Sequence, residues 1–114
     1  MDYALVFKWT RPIAGREVKA LEVLADLRMY FGKLSAEGTV DEPIVLMQIN
    51  DGMMIVRGDM KVLWDIVNRD DFITLMDKGL FVAEGFRFET FFTGEAMEHR
   101  LGLYAEAGKE LAYF

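Results

Sequence analysis

The order in which the hydrophobic periods follow one another constrains this chain more than any single residue does. An alternating run gives way to helical spacing, then come two more alternating runs, a second helical stretch, a further alternating run and a last helix. Successive side chains of a strand point to opposite sides, whereas those of a helix sweep around it. A period of two therefore marks a strand and a period near 3.6 marks a helix.

The first strand covers residues 3–10, with Tyr3, Leu5, Phe7 and Trp9 on one side and Ala4, Val6, Lys8 and Thr10 on the other. Pro12 and Gly15 punctuate the loop that follows. Residues 16–36 read as a helix whose buried stripe is Ala20, Leu24, Leu27, Phe31 and Leu34, widened by Leu21, Val23 and Tyr30. Gly38 stands where a left-handed residue closes such a helix. Strands at 44–49 and 53–57 flank Asn50-Asp51-Gly52, which predicts a tight hairpin turn with positive φ. Asp59 opens a second helix through Val62, Leu63, Ile66 and Val67. Asn68-Arg69-Asp70 interrupts it, Asp70 re-caps a segment carrying Phe72, Leu75 and Met76, and Gly79 is expected to end it. Residues 81–92 read as one long strand with Val82, Phe86, Phe88 and Phe92 on its apolar side. Within it, Gly85 marks a bulge or a close backbone approach. Thr93 caps a last helix with Met97, Leu101, Tyr104, Gly108 and Leu111 as its stripe.

Strand, helix, strand, strand, helix, strand is the ferredoxin-like order. The expectation is an α+β chain, one domain over residues 1–114, with residues 93–114 as a C-terminal helical appendage. A net charge of −6, with scattered Lys and Arg, argues against a nucleic-acid partner. No apolar run approaches the length of a membrane span, and the first residues read as a strand rather than a leader. The chain has no cysteine, so thiolate metal sites and disulfides are excluded, and a cytoplasmic location is expected. No cofactor or metal site is expected either. His99 is the only histidine and sits away from the apolar stripe of its helix, and Asp70-Asp71 reads as cap chemistry.

If both helices cover one face of the sheet, the other face carries Lys8, Arg87 and Glu89 beside Val6, Ala83 and Phe91. A half-apolar face open to water marks an interface. The predicted partner is therefore a second copy, the two sheets packing face to face around a lumen. Lys8 and Glu89 pair if the first and last strands are neighbours.

The opening 3–10 with Arg11-Pro12 and Gly15-Arg16-Glu17, together with Trp64 and Asp70-Asp71-Phe72, resembles the dimeric α/β-barrel superfamily. Val56-Arg57-Gly58-Asp59 and Phe92-Thr93-Gly94-Glu95 look most like its small members of unassigned function. The resemblance implies a homodimeric barrel that holds a small molecule in its lumen. It also admits a cofactor-independent monooxygenase acting on an aromatic or quinone-like substrate. Enzymes of that superfamily often carry a His where this chain has Met76, and the haem-degrading branch uses an Asn that its first strand lacks.

Lys8, Arg57, Arg87 and Glu89 are the candidates to hold an anionic or polar ligand; the plainer reading of the same four is salt bridges or a wet rim. Trp9 and Trp64 are candidates for an apolar pocket wall or for the core. A third reading compares Arg11-Pro12 and Gly15 with the turn of amino-acid-sensing ACT domains, whose ligand would sit near residues 11–15. No catalytic motif stands out in the sequence.

Overall fold

A computed structural model describes all residues, Met1–Phe114. The elements are β1 (Tyr3–Trp9), β2 (Arg11–Pro12), α1 (Glu17–Ala36), β3 (Ile44–Met47), β4 (Gly52–Gly58), α2 (Met60–Val67), α3 (Asp70–Val82), β5 (Ala83–Glu84), β6 (Arg87–Phe92) and α4 (Gly94–Glu110). The main sheet runs β3-β4-β1-β6, with every neighbouring pair antiparallel. This is the ferredoxin-like arrangement the periods predict.

The alternation of β1 places the core. Leu5 and Phe7 on one side are fully buried, as are Met54 and Val56 on β4. Against them pack Leu27 and Phe31 of α1, Leu63 and Ile66 of α2, and Phe72 of α3. The rings of Phe7, Phe31, Phe72 and Phe88 form a tilted and edge-on cluster with centroids 5.4 to 6.3 Å apart. Such pairs add about 0.5–1.5 kcal/mol each beyond their buried area. The Tyr30 hydroxyl donates to Asp71 Oδ1 at 3.0 Å and ties α1 to α3. Gly38, at φ 76°, closes α1 as expected: its N–H reaches the Ser35 carbonyl and that of Thr39 reaches Leu34, both at 2.9 Å.

Several expectations are corrected. Gly79 does not end the second helical stretch; α3 continues to Val82, and the long strand from residue 81 becomes a helix end, two residues of β5, a break and β6. The break is Gly85, at φ 67°, where an added Cβ would meet the side chain of Thr10. Arg69, in extended conformation, occupies the cap of α3, and Asp70 is the first helical residue, where its charge faces the positive end of the helix. Asn50-Asp51-Gly52 takes no positive φ. The β3–β4 loop instead spans residues 48–51, closed by the Gln48 N–H donating to the Asp51 carbonyl at 2.9 Å. Thr93 precedes α4, but its hydroxyl donates to the Met1 carbonyl at 3.2 Å rather than accepting from the helix.

α4 leaves its apolar stripe largely uncovered within one copy of the chain, and the helix has no buried residue. The radius of gyration is 16.6 Å, against about 13 Å for a compact chain of this length.

Candidate functional site

A cleft of about 270 Å³ opens between the helices and one end of the sheet. Eleven of its fifteen lining residues are hydrophobic. Ala20, Leu21 and Leu24 of α1 form one wall, and Trp9 at the end of β1 forms the floor with Met47. Ile49 and Asn50 of the β3–β4 loop, and Gly79, Val82 and Phe86, complete it.

Two glycines shape this cleft by letting aromatic rings come close. At Gly52 an added Cβ would lie 2.7 Å from Trp9 Cζ2, Met47 Sδ and the Leu46 carbonyl oxygen, so the indole lies across the start of β4. At Gly79 an added Cβ would collide with the ring of Phe86. That contact is the reason a glycine sits inside α3, where it otherwise costs about 1 kcal/mol relative to alanine.

Glu17 is the only ionisable residue in the lining. Its Oε1 accepts from the Gly15 N–H at 3.1 Å. Backbone hydrogen bonds, first from its own N–H and then from Gly15, hold its carboxyl below the usual carboxylate range. It is therefore ionised at neutral pH and a weak proton acceptor. The start of α1 thus already holds an anion of its own, and the neighbouring Arg11 pairs with Glu84.

The residues predicted for a ligand fall into two places. Lys8, Arg87 and Glu89 meet on the sheet face that the helices leave open. Lys8 Nζ lies 3.4 Å from Glu89 Oε2 and 5.5 Å from the Phe91 ring centre, and Arg87 Nε lies 3.0 Å from Glu89 Oε1. Arg57 lies on the same face beside Ala4, where its Nη2 donates to the Met1 carbonyl at 2.9 Å. Trp9 is on the other side of the sheet, in the cleft. Trp64 is 70% exposed and lines neither the cleft nor the core. Met76 is in the core, and His99 is exposed. Leu21 and Ile49, 67% and 92% exposed, line the cleft. In the sequence the first reads as an edge of the core stripe and the second as a strand end.

Around the charges, the open face is apolar: Ile44, Leu46 and Phe91 are about half exposed, at 51%, 50% and 42%. No helix is long and apolar enough to cross a membrane.

No protein-family model and no curated protein matches the chain. Solved structures match its fold. A conserved protein of unknown function from Bacteroides thetaiotaomicron, described as a possible oxidoreductase, superposes with a TM-score of 0.63 at 16% identity, covering 80% of this chain and 97% of its own. A cofactor-independent oxygenase from Streptomyces nogalater gives 0.62 at 12% identity, covering 82% and 94%. A dimeric protein of unknown function and ferredoxin-like fold from Bacteroides fragilis gives 0.52 at 8%, covering 79% and 95%. The chain is thus a ferredoxin-like α+β protein. At these identities the likeness speaks for the fold.

Proposed function

We propose that this protein binds an apolar, ring-bearing small molecule in the cleft floored by Trp9, and that it works as a homodimer paired through the open sheet face. The observation that carries the binding reading is the lining itself. An apolar cleft with a few polar groups, here Glu17 and Asn50, is the usual make-up of a small-molecule site. The half-exposed Ile44, Leu46 and Phe91 support the pairing, as does the dimeric Bacteroides fragilis protein of the same fold. In such a pair Lys8, Arg87 and Glu89 would border the lumen, and their mutual pairing there satisfies charges that burial would otherwise penalise.

The test uses the two tryptophans. In a Trp64→Phe variant, Trp9 is the sole reporter. Titration with 1-aminoanthracene should quench it saturably, and Ala20→Phe, which fills the cleft from α1, should abolish the response. Quenching that is linear, or that survives Ala20→Phe, would remove the cleft as the site.

A second reading is a cofactor-independent oxygenase acting on an aromatic quinol, favoured by the Streptomyces nogalater oxygenase of the same fold. The depressed pKa of Glu17 weakens it as the base such chemistry needs, which ranks this reading second. Oxygen consumption with a quinol, lost in Ala20→Phe, would promote it.

A further inference from the structure

α4 is the one helix of the chain with no buried residue. Helices in proteins owe most of their stability to packing an amphipathic face, so this face needs a partner. Its spacing says what kind. Met97, Leu101, Tyr104, Gly108 and Leu111 step by four, three, four and three residues. That is the repeat of the two seam positions of a coiled coil, and an apolar line of that period fits another helix. Ala105 and Ala107 flank the seam and let a neighbouring backbone come close.

We infer that α4 pairs antiparallel with α4 of a second copy of this chain, an interaction that rests on the homodimer proposed above. In that register Leu101 faces the partner's Tyr104, and Met97 faces the partner's Phe114, whose ring covers Gly108. A parallel pair would align the two helix dipoles unfavourably. The seam already gathers the apolar group within its own reach. The ring of C-terminal Phe114 lies on Gly108, with its centroid 6.4 Å from that of Tyr104.

Area supports the same occupant. Strand spacing and rise give the open face of the four-stranded sheet an outline of about 19 by 23 Å. That is roughly half of the ~800 Å² per partner typical of a stable dimer. A helix of this length adds a strip about 25 Å long and 10 Å wide, which brings the footprint close to that figure.

The chain has no native cysteine, which makes cross-linking unambiguous. Leu101→Cys and Tyr104→Cys chains, mixed and oxidised at micromolar concentration, should give a disulfide-linked heterodimer. Glu106→Cys, on the far side of α4, should give none with either. Leu101→Glu should raise the dimer dissociation constant at least tenfold by light scattering, with the circular dichroism of the body unchanged. A wild-type chain that is monomeric at 100 μM would overturn both the pairing and the homodimer. A wild-type dimer with no 101–104 cross-link and no response to Leu101→Glu would overturn the helix pairing and leave the sheet dimer standing. A Leu101→Cys homodimer as abundant as the mixed product would overturn the antiparallel register.

Discussion

Glu89 on β6 reaches diagonally to Lys8 on β1, Oε2 to Nζ at 3.4 Å, on the face of the sheet that no helix covers. Arg87, two residues earlier on the same strand, holds the other carboxylate oxygen at 3.0 Å. The hydrogen bond from Arg87, and then the charge of Lys8, keep the Glu89 carboxyl below its usual range. Two cations about one acid form a self-contained cluster at the β1–β6 side of the open face.

The depressed Glu89 pKa sets a pH dependence. Below about pH 4.3, the unperturbed value for Glu, the unfolded chain takes up a proton that folded Glu89 still resists. The contribution of Glu89 is therefore complete above that pH and fades as pH falls through the folded pKa. Urea unfolding of wild type and Glu89→Gln should show wild type the more stable at pH 7. The gap should narrow progressively as pH falls below the unperturbed Glu value, and one that stayed constant into strong acid would have to come from packing.

Arg87→Glu reverses a charge on the open face and sets two acids beside Lys8. The dimer should dissociate at least tenfold more readily in light scattering, with the fold of the monomer intact by circular dichroism. An unchanged dimer would place Arg87 at the rim, in water.

Gly79→Ala drives a methyl group into the ring of Phe86, and overpacking of this kind costs about 1–3 kcal/mol. Made in a Phe86→Ala background the same change should be neutral or stabilising, since alanine is the better helix former by about 1 kcal/mol. A four-corner cycle measured by denaturant unfolding checks the sign change, and equal costs in both backgrounds would contradict the contact.

The same truncation on two helices should separate body from appendage. Leu27 on α1 is 2% exposed, and Leu27→Ala should cost about 2–5 kcal/mol. Leu103 on α4 is 49% exposed and off the seam, and Leu103→Ala should stay within about 0.5 kcal/mol. Thermal or urea unfolding of the two variants reads the difference directly.

The sequence by itself determined the order of elements, the core side of β1, the break at residues 68–69, the closure of α1 at Gly38 and the Lys8–Glu89 pair. Each depends on a local period, on one residue's conformational freedom, or on a strand pairing that the fold's order dictates. The tertiary structure decided the rest. α3 runs past Gly79 because burial of Val82 and the seat for Phe86 outweigh the local preference to stop. The β3–β4 loop is wider than the predicted turn because Gly52 is needed in the ladder, beneath Trp9. The cleft draws on several separate segments and includes Leu21 and Ile49, which no period distinguishes from core. Within one copy α4 leaves most of its apolar stripe uncovered, because only the ring of Phe114 reaches it, at Gly108 and Tyr104.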